Sequence, residues 1–105
     1  MIYKLLREEE WAAFQKAGAF AGSPLDLNDG YLHFSTAAQA RETKERHFAG
    51  VETVILAEVS EAGLALKWEP SRGGQLFPHL YAPLPLSAVT RHWTLTGDAS
   101  WPLDA

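Results

Sequence analysis

Short stretches in which apolar and polar residues alternate recur along the chain and predict several β-strands. Tyr31 to Ser35 shows the pattern well, because Leu32 and Phe34 point to one side and the polar residues to the other. The run 53–57 is apolar on both faces and is typical of a central strand. Strands are predicted over 2–6, 31–35, 53–57, 64–69, 77–81 and 89–95.

Two further stretches have features of helices. Residues 8–17 begin with three acidic residues, which the helix dipole favours in a first turn. A second helix is predicted from a cap at Ser35 or Thr36 to about Phe48. Between them, 21–30 is dense in turn-forming residues and predicts an ordered loop. About six strands and two helices together indicate an α+β fold.

The composition predicts one folded domain that spans residues 1–105, with 97–105 the part most loosely held. Apolar residues make up 47% of the chain and charged residues 21%, which is ordinary for a globular protein. Trp11, Trp68 and Trp93 each fall on a predicted core face, where large aromatic side chains usually belong.

Charge and residue usage exclude several classes of function. The net charge of −4 disfavours non-specific binding of nucleic acids, and the lack of cysteine excludes disulfides and thiolate catalysis. No pair of the four histidines has the spacing of a helical metal site, so no metal is expected. We find neither a signal peptide nor an apolar stretch long enough to cross a membrane, and we expect a cytoplasmic protein. Protein partners cannot be inferred.

The first group of candidate site residues is His33, Ser35 and Thr36, where a strand ends and a helix begins. An imidazole, hydroxyls and free backbone N–H groups at such a place suit an anionic ligand, especially phosphate. The alternative is that a hydroxyl only caps the helix and that His33 is an ordinary sheet residue. His47 and His92 fall on faces expected to be exposed and are assigned to the surface.

The second group surrounds a glycine pair and consists of Glu69, Arg72, Gly73, Gly74, His79 and Tyr81. A carboxylate, a guanidinium that can grip a phosphate and an imidazole that titrates near neutral pH form a plausible site. The alternative is a surface ion pair between Glu69 and Arg72 together with a core histidine. If both groups form one site, His33 and His79 lie close together on the wall of one cleft.

Two blocks of sequence, 29–36 and 68–81, carry a resemblance to a known family. They read Asp-Gly-Tyr-Leu-His-Phe-Ser-Thr and Trp-Glu-Pro-Ser-Arg-Gly-Gly-Gln-Leu-Phe-Pro-His-Leu-Tyr, and the chain with them resembles the family called domain of unknown function 952. That family is similar to the ADP-ribosyltransferase-like fold. The resemblance implies a small split β-sheet with two helices and a cleft for NAD.

The resemblance also implies roles for the residues. His33, Glu69 and His79 would be catalytic, and the ligand would be held by Tyr31, Ser35, Thr36, Arg72, Gly73, Gly74 and Tyr81. NAD is then a candidate substrate for ADP-ribose transfer, and a nucleotide with a phosphorylated ribose is the other candidate. The chain departs from the superfamily on its first strand, where Tyr3 or Lys4 replaces the expected His or Arg. The alternative is therefore a non-catalytic nucleotide-binding or interaction module.

Overall fold

The computed structural model describes residues 1–97 and 99–104 and contains three α-helices and eight strands within that part of the chain. The helices are α1 (Glu8–Ala17), α2 (Pro24–Asp29) and α3 (Ala37–His47). The strands are β1 (Ile2–Arg7), β2 (Ala19–Phe20), β3 (Leu32–His33), β4 (Thr53–Val59), β5 (Leu66–Pro70), β6 (Leu76–Leu80), β7 (Leu84–Pro85) and β8 (Val89–Thr96). None of the described helices has the length and apolarity needed to cross a membrane.

The strands form three small antiparallel sheets, so the predicted α+β class is confirmed. The first sheet has the order β1-β4-β8, the second β3-β6-β5, and the third pairs β2 with β7. A single bridge between Tyr3 and Ser35 connects the first sheet to the strand-to-helix junction before α3. This bridge places the N-terminal strand beside the start of α3 and beside β3.

The core lies on both faces of the first sheet, because β1 and β4 are buried on both sides. Ile2 and Leu6 of β1 belong to one apolar cluster, whereas Tyr3 and Leu5 belong to another. The prediction that 53–57 is a central strand is confirmed, since β4 lies between β1 and β8. Near the C-terminus, where 97–105 was expected to be loose, side chains at 101 and 103 pack against the second cluster; Asp98 and Ala105 lie outside the described residues.

The loop predicted at 21–30 contains a helix, α2, so the expectation of two helices is wrong. Ser23 caps this helix by accepting a hydrogen bond from the Asp26 N–H, and the Asp26 carboxylate accepts one from the Ser23 N–H. Pro24 occupies the first turn, where its missing N–H costs nothing. The helix ends at Gly30, whose φ of 88° is in the left-handed region.

The prediction that Trp68 is a core residue is also wrong. Trp68 is 43% exposed, because β5 is the outer strand of its sheet and one face of the strand lacks a covering layer. Trp11, at 8% exposure, is buried as predicted, and Trp93 packs half-buried against the second cluster. Of the strand predicted over 31–35, only Leu32 and His33 form regular strand pairs.

Candidate functional site

Four of the predicted site residues line one cleft of about 700 Å³: His33, Ser35, Arg72 and His79. They come from β3, the junction before α3, the turn after β5, and β6. The first and second groups of candidates are therefore brought together, although they are far apart in sequence. Tyr31, Thr36, Glu69, Gly73, Gly74 and Tyr81 do not line this cleft.

His33 and His79 are directly opposite each other in the antiparallel pairing of β3 with β6. Their ring centroids are 5.6 Å apart, which confirms the prediction that they lie close together. The ring of Tyr31 packs against both, at 4.6 Å from His33 and 4.1 Å from His79, and reaches Tyr81 at 5.1 Å. Tyr31 and Tyr81 thus form an aromatic cluster with the two histidines, although neither tyrosine lines the cleft.

Glu69 holds His79 in a defined orientation. Its Oε1 accepts hydrogen bonds from His79 Nδ1 at 2.8 Å and from the Tyr81 hydroxyl at 2.7 Å. Since an ionised carboxylate only accepts hydrogen bonds, Nδ1 of His79 carries a proton. In the neutral ring, Nε2 is then unprotonated and able to accept a proton from a ligand.

One ring nitrogen of His79 is free of hydrogen bonds. Within the described part of the chain Nε2 has no hydrogen-bond partner, and it does not belong to the fully enclosed atoms that lack one. His79 as a whole is buried, at 2% exposure, and it lines the cleft. His79 is therefore buried, as the alternative interpretation expected, and it also contributes to the wall of the cleft.

The Tyr81–Glu69 hydrogen bond changes the pKa of both partners. The bonds from Tyr81 and then from His79 lower the pKa of Glu69, so that it is ionised at neutral pH. The same bond, together with burial and the charge of Glu69, raises the pKa of Tyr81 to about 12. The alternative of a Glu69–Arg72 ion pair is wrong, because Arg72 pairs with Glu42 instead.

Asp26, which the sequence did not single out, lies at the centre of the site. Its side chain is 1% exposed and accepts hydrogen bonds from the ring Nδ1 of His33 at 2.6 Å and from the His33 backbone N–H at 3.0 Å. Lys4 Nζ lies 3.1 Å from its other oxygen and also donates to the His33 carbonyl at 2.7 Å. Asp26 therefore ties α2, β1 and β3 together.

The charges of this cluster compensate one another. Burial opposes ionisation of Asp26, but the hydrogen bond from His33, the Lys4 charge and two backbone N–H groups together lower its pKa below the usual range. Burial lowers the pKa of Lys4, and Asp26 counteracts that effect. The second ring nitrogen of His33 lies 2.9 Å from a carboxylate oxygen of Asp29, so both ring nitrogens lie beside carboxylates.

Positive charge is concentrated in the cleft, although the chain as a whole carries −4. Four of its nine Lys and Arg residues line the cleft: Lys4, Arg7, Arg46 and Arg72. Asp26 is the one carboxylate among the described residues of the lining, out of 13 acidic residues in the chain. The cleft therefore favours an anionic ligand.

His47, which was assigned to the surface, also lines the cleft. Burial lowers its pKa, and the charges of Arg72, His33 and Arg46 lower it further. These contributions indicate a positive potential at this position. The sequence signal was available, because Arg46 and His47 follow Thr43 on the same side of α3, but only the fold shows that this side faces the cleft.

The hydroxyl groups predicted to bind an anion have structural partners. Thr36 caps α3 in a capping box with Gln39, as in the alternative interpretation. Ser35 is buried, and its hydroxyl is 2.9 Å from that of Thr43, to which Arg72 also donates at 3.4 Å. The hydroxyls therefore organise the cleft wall.

The glycine pair forms a tight turn beside the cleft. Gly73 and Gly74 have φ values of 66° and 77°, which other residues rarely adopt, and they follow Arg72 in a single turn of 3₁₀-helix. The turn directs Arg72 back over the ring of Phe77, 4.9 Å from its centroid. No group of three or more His, Asp or Glu residues in the described part of the chain is arranged to hold a metal ion.

Fold and site together define a small α+β protein with a cationic cleft and a histidine oriented by a carboxylate. The chain belongs to the family described as "Protein of unknown function (DUF952)", which matches residues 5–92 and confirms the family resemblance. None of the curated proteins matches the chain.

Solved structures of protein CC0527 from Caulobacter crescentus are similar to this chain. A crystal structure of a double mutant is 48% identical, with a TM-score of 0.87, and the match covers 93% of this chain and 88% of that one. A solution NMR structure is 48% identical, with a TM-score of 0.81, over 93% of this chain and 86% of that one. The similarity therefore extends over most of the fold.

Proposed function

We propose that the protein is an enzyme that binds a small, phosphate-bearing, nucleotide-like ligand in the cleft and processes its ribose. The observation that carries the proposal is the Glu69–His79 pair, which leaves Nε2 without a hydrogen-bond partner in a buried histidine that lines a cationic cleft. A histidine held in this way is suited to general base catalysis, because its orientation and tautomer are fixed before the ligand binds.

In this mechanism Nε2 of His79 accepts the proton of a hydroxyl group that attacks the phosphorus atom of the ribose phosphate, and the phosphorus–oxygen bond to the leaving group breaks as the new bond forms. The imidazolium that results is stabilised by Glu69, whose Oε1 is 2.8 Å from Nδ1. Glu69 itself does not line the cleft, and it acts as a positioning residue through His79. The same proton can later return from Nε2 to the leaving group.

The cations of the lining select the ligand. Phosphate groups bind well to guanidinium groups, and Arg72 is held ready over Phe77 at 4.9 Å. A cleft of about 700 Å³ accommodates a nucleotide. Together these features favour NAD, ADP-ribose or a nucleotide with a phosphorylated ribose.

Of the two reactions that the ADP-ribosyltransferase-like resemblance implies, the geometry favours phosphate chemistry at a ribose. Cleavage of NAD builds positive charge on the sugar and calls for a carboxylate that touches it. Glu69 is occupied by His79 and Tyr81, and Asp26 is occupied by Lys4 and His33. A histidine that acts as a general base at a phosphate does not require a carboxylate in contact with the sugar.

The second candidate function is a binding module without catalysis. It is favoured by the first strand, where Tyr3 or Lys4 replaces the His or Arg of the superfamily. Lys4 is 5% exposed, and its ammonium group is held by Asp26 and the His33 carbonyl. A residue so placed supports the fold and does not contact a ligand.

The experiment is a binding and turnover assay with NAD, ADP-ribose and 2′-phosphorylated nucleotides. Binding is measured by NMR titration of the amides around the cleft, and turnover by ³¹P NMR of the ligand. We expect His79→Ala and Glu69→Gln both to retain binding, His79→Ala to lose turnover, and Glu69→Gln to retain only slow turnover with a shifted pH profile. His92→Ala is the control, since His92 packs on Trp11 away from the cleft.

Binding without turnover by the parent would establish the binding module. Failure of all three ligand types to bind at millimolar concentration would exclude both functions. Turnover that survives His79→Ala would exclude His79 as the base.

A further inference from the structure

Two arginines at the cleft share one carboxylate. Glu42 Oε1 lies 3.5 Å from Nε of Arg46, one turn further along α3, and Glu42 Oε2 lies 3.4 Å from a terminal nitrogen of Arg72. Both arginines line the cleft, whereas Glu42 does not. Two guanidinium groups from separate parts of the chain thus converge on a single anion.

The carboxylate that bridges them is weakly held. Strong ion pairs between a guanidinium and a carboxylate have N–O distances of about 2.7 to 2.9 Å, and both contacts of Glu42 are longer. The side chains of Glu42 and Arg46 are 53% and 54% exposed, and such ion pairs stabilise a protein little. Glu42 can therefore be displaced at small cost.

Arg72, in contrast, is fixed in place. Its side chain is 17% exposed, it packs over Phe77, and it donates to the Thr43 hydroxyl. With Glu42 in position the pair still carries one excess positive charge, and His47 lies beside it. Burial lowers the pKa of His47, and the charges of Arg72, His33 and Arg46 lower it further, which is consistent with an excess of positive charge at this place.

We propose that Arg46 and Arg72 form a phosphate subsite in which the Glu42 carboxylate is an internal competitor that the phosphate of a ligand displaces. A phosphate ester carries up to two negative charges near neutral pH and three acceptor oxygens, so it satisfies two guanidinium groups better than one exposed carboxylate does. The inference rests on the proposed function and locates the phosphate end of the ligand at the α3 side of the cleft.

The test measures binding of inorganic phosphate and pyrophosphate to the full chain by NMR titration and calorimetry. We expect Glu42→Gln to bind both anions roughly two- to tenfold more tightly than the parent, because the competitor is removed. Arg46→Ala is expected to bind roughly tenfold more weakly. In the Arg46→Ala background, Glu42→Gln is expected to have a smaller effect, since one of the two bridged cations is gone.

Glu45→Gln is the matched control, because Glu45 is an exposed acid of the same helix that does not line the cleft. Glu45→Gln also removes one negative charge, and its affinity for phosphate and pyrophosphate is expected to stay within about twofold of the parent's. If Glu42→Gln and Glu45→Gln change the affinity for phosphate equally, the subsite proposal is overturned, because the effect then comes from the net charge of the protein. Absence of phosphate and pyrophosphate binding at millimolar concentration, even in Glu42→Gln, would also overturn it.

These outcomes are separate from those for catalysis. A subsite that behaves as expected, in a protein that turns over none of the nucleotides, would contradict the proposed enzyme and leave the subsite intact. Turnover that depends on His79 but is unchanged in Glu42→Gln and Arg46→Ala would leave the enzyme intact and contradict the subsite.

Discussion

His33 and His79 are opposed across two antiparallel strands, with ring centroids 5.6 Å apart, yet their environments give them different roles. Both ring nitrogens of His33 lie within hydrogen-bond distance of carboxylates, those of Asp26 and Asp29. His79 has one ring nitrogen bonded to Glu69, and its other nitrogen has no hydrogen-bond partner in the described part of the chain. A fully hydrogen-bonded histidine and one with a free ring nitrogen therefore lie side by side.

Replacement of the tryptophans separates buried from exposed aromatic residues. Trp11→Ala is expected to lower the free energy of unfolding by about 3 to 5 kcal/mol, because it leaves a cavity in the core. Trp68→Ala is expected to lower it by about 1 kcal/mol or less, since Trp68 is 43% exposed on an edge strand. Urea unfolding monitored by circular dichroism measures both. Equal losses of unfolding free energy in the two variants would mean that another layer covers the face of β5 that carries Trp68.

Most of the fold could be predicted from the spacing of apolar residues, and the errors have physical causes. The helix α2 was missed because Ser23, Pro24 and Asp26 are turn formers as well as capping residues. Trp68 was misplaced because alternation gives the face of a strand but not whether another layer covers that face.

The candidate site could be predicted in part. His33 and Ser35 were singled out because they lie where a strand ends and a helix begins, and Arg72 and His79 because they lie beside a glycine pair. Asp26 and His47 were not, since their contribution depends on contacts between elements distant in sequence. The pairing of Asp26 with Lys4 joins residues 22 positions apart, and no local pattern indicates it.

Asp26 is expected to make the free energy of unfolding fall as the pH falls into the acidic range. Its pKa in the folded protein is below its ordinary value of 3.8, so as the pH falls the Asp26 carboxylate is protonated in the unfolded chain before it is protonated in the folded protein. The stabilisation is fully present above that ordinary value and is lost at lower pH. Urea unfolding from pH 7 to pH 3 is expected to show the parent losing its advantage over Asp26→Asn towards the acidic end.

At pH 7, Asp26→Asn is expected to cost about 3 kcal/mol or more, because Lys4 remains buried without its counter-charge. The double variant Lys4→Met/Asp26→Asn is the control, since it removes both charges and is expected to regain part of the loss. A double variant no better than Asp26→Asn alone would mean that the pair does not act through its charges.

The hydroxyl group of Tyr81 is expected to ionise at a higher pH than an ordinary tyrosine. The hydrogen bond to Glu69 raises its pKa to about 12, so ultraviolet titration of the parent is expected to show one tyrosine near that pH, which disappears in Tyr81→Phe. Glu69→Gln is expected to move this titration towards 10.0. Because the folded-state pKa is raised, the stabilisation from this bond is present below pH 10 and is lost as the pH rises through about 12.

Arg72→Ala is expected to weaken binding of a phosphate-bearing ligand by about 1.5 to 3 kcal/mol, as for a lost hydrogen bond to a charged group. The matched control is Arg91→Ala, because Arg91 also packs over an aromatic ring, that of Trp93 at 4.6 Å, but does not line the cleft. Calorimetric titration of ADP-ribose into both variants measures the difference. If the two substitutions weaken binding equally, net charge and not the cleft determines affinity. Loss for Arg72→Ala alone, with unfolding unchanged in both, would assign the ligand's phosphate to the place where Arg72 lies over Phe77.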